Sequence, residues 1–216
     1  MRFTQTLFWP TTMRTILRKR RMVAVLISVV SVIPLASAQN VIEKEQVMSF
    51  ESATQPATSL DVVVTRVFDA PVEEVWKAWV DAEKVMRWWG PTGFTSPVAR
   101  IDFRVGGKSL VCMRAPKEFG GQDMYNTWTY QKITPYESIE FIFHFSDKDG
   151  NKVDPSSMGV PPGVPAEVPH IITFKRLGDR KTEMTVRESG YTSEQGVAIS
   201  KAGLEQCLDK MALLFK

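Results

Sequence analysis

Cysteine and histidine are scarce in this 216-residue chain, with two of each. Two cysteines are too few for a fold built on disulfides. No GxSxG elbow, HExxH helix, P-loop or CxxC pair occurs. That removes the commonest sequence signatures of hydrolases, zinc peptidases, phosphate-binding loops and thiol redox proteins. Glycine and proline, 13 of each, stand near average, so the chain is neither collagen-like nor low in complexity. Long apolar runs are missing too, except at the N-terminus, and a membrane span needs about twenty apolar residues in succession. What is present is 44% hydrophobic and 24% charged residues, enough to bury a full globular core.

The N-terminal segment bears on compartment. Arg14, Arg18, Lys19, Arg20 and Arg21 precede an apolar run from Met22 to Leu35, and Ala36-Ser37-Ala38 follows. Basic, apolar and small residues in that order match a secretory signal peptide over residues 1–38, cleaved after Ala38. Ser28, Ser31 and Pro34 interrupt the run and shorten it for a retained anchor. The expected location is periplasmic or secreted, with no membrane association once the leader is gone. Six basic and no acidic residues lie in the leader, which leaves 21 basic against 24 acidic and a net charge of −3. The basic balance of the whole chain therefore belongs to the leader, and no nucleic-acid partner is expected. Residues 39–59 are polar, lack a sustained period and read as a flexible lead-in.

From residue 60 to 216 the texture is that of one domain. Residues 61–69, rich in valine, predict a strand, and Pro71 with Glu73 and Glu74 suits the first turn of a helix. Val72, Val75, Trp76 and Trp79 share one face of it. Asp81 can cap a second short helix that carries Val85, Trp88 and Trp89 on one side and ends at Gly90-Pro91. Residues 98–105 alternate, with Ile101, Phe103 and Val105 dry and Arg100, Asp102 and Arg104 wet, before a Gly106-Gly107 hairpin turn. Further strands are expected at 108–114, 124–132, 138–145, 170–176 and 181–188. Thr192 with Gln195 forms a capping box for a final helix from Ser193 to Phe215, about 35 Å long. Its stripe is Val197, Leu204, Cys207, Leu208, Met211, Leu214 and Phe215.

The expected fold class is therefore α+β: a seven-stranded curved antiparallel sheet wrapped around a long C-terminal helix, with two short helices after the first strand. Four stretches carry a resemblance. Phe68-Asp69-Ala70-Pro71-Val72-Glu73-Glu74-Val75-Trp76, Trp88-Trp89-Gly90-Pro91, Asp102-Phe103-Arg104-Val105-Gly106-Gly107 and Leu204-Glu205-Gln206-Cys207-Leu208-Asp209-Lys210-Met211 resemble, in order, the START-like SRPBCC superfamily. More narrowly, they look like its branch named for the activator of a heat-shock-protein ATPase. The resemblance covers residues 60–216 and implies a helix-grip fold. For function it implies an apolar-ligand carrier, a cyclase-type enzyme or a co-chaperone domain. An exported protein would not meet a cytosolic ATPase, so no cytosolic chaperone partner is expected.

The dry face of the sheet is read as Ile101, Phe103, Val105, Trp128, Tyr130, Ile139, Phe141, Phe143, Ile172, Phe174, Met184 and Val186, opposite the helix stripe. Candidate ligand-lining residues are Trp88, Trp89, Phe103, Trp128, Tyr130, Phe141, Phe143, His170, Phe174, Met184, Leu204, Leu208 and Met211. Large aromatics either line a cavity there or fill it. The first outcome favours binding of a small apolar molecule, and the second a protein-interaction module with a filled core. A third reading is a cyclase or dehydratase using His170, Tyr130 and Asn126 as polar cavity residues. Alternation places His144 with Glu140 on the wet face and His170 on the dry one, so no shared metal site is expected, and no cofactor. The long segment from Ser146 to Pro169 reads as a lid or binding loop. Its Asp147-Lys148-Asp149-Gly150-Asn151 run lacks the closing glutamate of a calcium loop. Cys112 and Cys207 are both read as facing the interior, either as free thiols or as a disulfide closing a loop of about ninety residues.

Overall fold

The structure, a computed structural model, describes residues 59–216. The expected leader, its cleavage point and nearly all of the lead-in lie outside the described residues. Strand β1 (Leu60–Phe68) is followed by helices α1 (Val72–Val80) and α2 (Ala82–Trp88). Then come β2 (Thr95–Arg100), β3 (Lys108–Arg114), β4 (Asp123–Thr134), β5 (Ser138–Ser146), β6 (Glu167–Gly178), β7 (Lys181–Tyr191) and the long helix α3 (Glu194–Ala212). All pairings are antiparallel, in one seven-stranded sheet ordered β1-β7-β6-β5-β4-β3-β2. This is the helix-grip architecture expected from the sequence.

Period-two burial builds the inner face. β6 buries Val168, His170, Ile172 and Phe174, and β7 buries Thr182, Met184, Val186 and Glu188, because successive side chains of a strand point to opposite faces. α1 adds Val75, Trp76 and Trp79 to the same core, and α3 adds Leu204, Cys207, Leu208 and Met211. Each such large apolar side chain contributes about 1.5–3 kcal/mol when fully buried. The Asp81 carboxylate caps α2 as expected, accepting from Glu83 N at 2.9 Å and Lys84 N at 3.1 Å. A short 3-10 turn after α3 brings Phe215 edge-on to Phe68 at 5.4 Å. The C-terminus is thereby packed on the end of β1.

The strand expected over 98–105 is displaced. β2 ends at Arg100, and Val105, expected on the dry face, is 60% exposed. A tight turn is the cause: Arg104 N donates to Asp102 O at 3.0 Å and Gly107 N to Arg104 O at 2.8 Å. A Cβ on Gly107 would stand 2.2 Å from the Asp102 carbonyl, so only glycine fits. Gly106-Gly107 is accordingly no two-residue hairpin. It rejoins the sheet beside β4, with Gly106 N donating to Tyr130 O at 2.8 Å. Ile101 and Phe103 still pack on the core.

The cap of α3 is Ser193, whose Oγ accepts from Gly196 N at 3.0 Å, and not Thr192 with Gln195. Thr192 N is already committed to the Gly163 carbonyl at 2.9 Å. The outer face of the sheet also differs from expectation, because residues 147–153 fold back over part of it. Val153 N donates to Phe145 O at 3.0 Å and Lys108 Nζ to Gly150 O at 2.8 Å. His144 lies on that outer face, opposite His170, yet is only 6% exposed. Its Nε2 sits 2.8 Å from Glu167 Oε1, off the line of a hydrogen bond. Cys112 is buried on this outer side too, since Val111 is the neighbour that faces the core. Cys207 belongs to the inner stripe, so the sheet separates the two free thiols and excludes a bridge between them.

Candidate functional site

The inner wall between sheet and α3 is aromatic. Trp128 on β4 stacks on Phe141 at 5.2 Å and 24°, and Phe141 stacks on the His170 imidazole at 4.7 Å and 15°. Phe143 lies 5.6 Å from the same imidazole. The short helices supply a chain of indoles, with Trp79–Trp88 at 4.8 Å, Trp88–Trp89 at 5.4 Å and Trp89–Trp128 at 4.9 Å, all edge-on. Such ring pairs each contribute about 0.5–1.5 kcal/mol beyond the area they bury. Trp88 Nε1 donates to the Ala78 carbonyl at 2.8 Å and Trp79 Nε1 to Met184 Sδ at 3.1 Å.

A polar cluster interrupts this wall. At Gly190, φ +96°, the β1–β7 register shifts, so that Val62 faces Glu188 while Leu60 faces Tyr191. Residues three apart, which a regular strand would point to opposite sides, are thereby both buried and bonded to each other. His170 pairs with Glu188 across the β6–β7 ladder. Its Nδ1 meets the Val168 carbonyl at 2.9 Å and its Nε2 lies 3.2 Å from Glu188 Oε1. Tyr191 completes the cluster by donating its hydroxyl to Glu188 Oε2 at 2.5 Å. His170, Glu188 and Tyr191 are 5%, 8% and 2% exposed.

Hydrogen-bond arithmetic fixes most of the protons. A carbonyl only accepts, so Nδ1 of His170 carries a proton, and the phenol proton of Tyr191 is spent on Glu188. Nε2 approaches Glu188 Oε1 at 3.2 Å without the alignment of a hydrogen bond. Burial, and next the charge of Glu188, push the Tyr191 phenol far up, so it stays a donor. The neighbouring Cys207 thiol is pushed up to about 12, mainly by burial, and behaves as a small apolar group. Lys210, whose pKa is lowered by burial, donates to the carbonyls of Gly90 and Phe94 at 2.9 Å each and ties α3 to the turn after α2.

The segment between β5 and β6 covers one end of this interior. Val153, Met158, Val160 and Val164 pack against the core. The far end of the segment docks on the start of α3, where Ser193 Oγ donates to the Pro162 carbonyl at 3.2 Å. A Cβ on Gly163 would lie 2.0 Å from Ser193 Oγ, and one on Gly196 2.9 Å from the Gly163 carbonyl carbon. Two glycines therefore permit the close approach of loop and helix.

Of the residues chosen from sequence, Trp88, Trp89, Trp128, Tyr130, Phe141, Phe143, Phe174, Met184, Leu204, Leu208 and Met211 fall in one buried cluster, with His170 stacked against it. Phe103 is half-buried at its edge, 5.0 Å from Tyr130 and 5.6 Å from Trp76. The three polar residues grouped for catalysis have separate partners. Tyr130, pushed up to about 12 by burial, bonds Ser109 at 3.0 Å, and Asn126 Oδ1 accepts from Trp128 Nε1 at 2.9 Å. His170 is joined instead by Glu188 and Tyr191, which the sequence reading missed. Glu188 was detectable as the acid in step with Met184 and Val186 on the dry face. Tyr191 was not, because the irregularity at Gly190 takes it out of that step.

The family model described as Activator of Hsp90 ATPase homolog 1-like protein matches residues 69–216. No curated protein matches the chain. Among solved structures, a protein of Arthrobacter aurescens is similar at 23% identity and TM-score 0.60, covering 75% of this chain and 89% of its own. One from Mycobacterium smegmatis is similar at 21% identity and TM-score 0.58, covering 76% and 94%. The AHSA1 protein of Silicibacter pomeroyi shares 20% identity at TM-score 0.56, covering 72% and 96%. At these identities the likeness is one of fold.

Proposed function

The chain belongs to the family of Activator of Hsp90 ATPase homolog 1-like proteins, and on that premise we propose that it is an exported binding protein for a small, mostly apolar molecule held between sheet and α3. The observation that carries this reading is the His170–Glu188 pair, 3.2 Å apart and set in an aromatic wall. A buried imidazole–carboxyl pair is weak support for stability, since apolar residues of similar volume replace such polar pairs at little cost or with gain. Its presence fits recognition of a ligand better than it fits core packing. The apolar residues of the 147–166 segment, packed over one end, support the same reading. Export rests on the basic, apolar and small-residue order of residues 1–38 and directs the protein away from any cytosolic ATPase. Binding an apolar molecule needs no metal, cofactor or nucleic acid.

The test is displacement of N-phenyl-1-naphthylamine by apolar competitors, together with native mass spectrometry of protein purified from its own host. Phe143→Ala should fold and weaken probe binding. Normal folding of both Phe143→Ala and Trp128→Ala with unchanged binding would refute the site. The approach of an imidazole and a carboxyl group to 3.2 Å in one buried site favours a second reading, an acid–base enzyme of cyclase or dehydratase type. Conversion of the co-purified ligand by wild-type protein, lost in Glu188→Gln, would select it.

A further inference from the structure

Beside the aromatic wall two buried N–H donors have no acceptor among the described residues, Asn126 Nδ2 and Trp89 Nε1; a third, Arg66 Nε on β1, belongs to a guanidinium already bonded to Asp209 on α3. Asn126 is 1% and Trp89 8% exposed. Their neighbours are all satisfied, since Trp79, Trp88 and Trp128 donate to Met184 Sδ, the Ala78 carbonyl and Asn126 Oδ1. The orientation of the Asn126 amide follows from the last of these bonds. An indole N–H only donates, so Oδ1 must face Trp128 and the NH2 group must point away from it. The two residues flank the same ring, Asn126 through the 2.9 Å bond of its Oδ1 and Trp89 with its indole edge-on at 4.9 Å between ring centroids. Unpaired donors in an apolar interior are costly and uncommon in folded proteins, which makes a pair beside one aromatic ring a sign of an occupant.

Charge selects the kind of occupant. The ionisable groups of this interior are already engaged: His170 with Glu188, Tyr191 with Glu188, Lys210 with the Gly90 and Phe94 carbonyls, and Arg66 with Asp209. An anion would gain two donors but no free cation and would share the interior with the Glu188 carboxyl. A cation would leave both donors unmet. A neutral carbonyl oxygen has two lone pairs, one for each donor. We propose that the ligand is an aromatic or alicyclic ketone, ester or amide. Its carbonyl oxygen accepts from Asn126 Nδ2 and Trp89 Nε1, and its flat body lies against Trp128. This rests on the reading of the domain as a small-molecule binder.

The experiment compares 2-acetylnaphthalene with 2-isopropenylnaphthalene, which has the same shape but a methylene in place of the oxygen, by calorimetric titration into the full chain. The ketone should bind at least tenfold more tightly. Asn126→Asp keeps the oxygen facing Trp128 and replaces the donor by an acceptor, so it should abolish or reverse the preference, and Trp89→Phe should reduce it. Binding also should lower the carbonyl stretching frequency of 2-acetylnaphthalene relative to its value in alkane, a readout on wild-type protein alone. Equal affinity for the two compounds with no frequency shift overturns the carbonyl inference and leaves the binding reading standing. Failure of both compounds to bind overturns both.

Discussion

Replacing Tyr191 by phenylalanine removes one oxygen and nothing else from the buried cluster. That oxygen donates to Glu188 Oε2 at 2.5 Å, with both residues under 10% exposed. A hydrogen bond to a charged acceptor contributes about 1.5–3 kcal/mol, and a carboxylate left without its donor inside the protein keeps the desolvation cost. The expected loss is therefore about 2 kcal/mol. For a domain of this size, that corresponds to a fall of about 4–8 °C in Tm. Glu188→Gln should cost less, under about 1 kcal/mol. Its amide oxygen can accept from Tyr191 and its NH2 can donate to neutral His170 Nε2, so every partner is kept. Urea unfolding followed by tryptophan emission gives both values, and the double variant completes the cycle with a coupling between about 0.5 and 3 kcal/mol. A Tyr191→Phe loss below about 0.5 kcal/mol at unchanged m-value would refute the buried hydroxyl–carboxylate bond.

Glu167, held down at about 2 first by the Lys152 ammonium and then by His144, is ionised in the fold at pH values where the unfolded chain, at 4.5, takes up a proton. Its contribution is complete above about 4.5 and fades as pH falls toward about 2. Glu167→Gln should flatten the acid limb of the urea midpoint in that window alone, and an unaltered limb would reject the pairing. Gly163→Ala places a Cβ 2.0 Å from Ser193 Oγ at φ +95° and should destabilise by more than about 1 kcal/mol, with faster protease cleavage in residues 147–166. Wild-type cleavage rates in that variant would refute the docking. Burial pushes the Cys112 and Cys207 thiols up to about 11 and about 12. Thiol titration should therefore find neither in the folded protein and both after denaturation without reductant.

Features with a short period were legible before the structure. His170, Ile172 and Phe174 fall inward as their alternation predicted, and so do Leu204, Leu208 and Met211 on the helix. Failures arose where a distant segment overrides the local pattern. Leu110 and Cys112 look like inward residues because they are apolar, yet the outer face they occupy is itself covered. Val105 continues an alternation that the Asp102–Gly107 turn has already broken. Thr192 and Ser193 are equally good caps on paper, and the contact of Thr192 N with Gly163 decides between them. Unmet donors such as Asn126 Nδ2 have no sequence signature, because only the packed environment defines them.

The pairing of β1 with β7 also sets a timetable for the chain. Val63 lies opposite Arg187, so the first strand of the domain acquires its ladder partner only after more than a hundred further residues have been made. At ribosomal rates of about 5–20 residues per second, that leaves on the order of ten seconds during which β1 has no neighbour. Contacts so far apart in sequence also slow the folding of the finished chain. Strands β2 to β6 each pair with the strand next in sequence, so the sheet closes last at its β1–β7 edge, where the two ends of the domain meet.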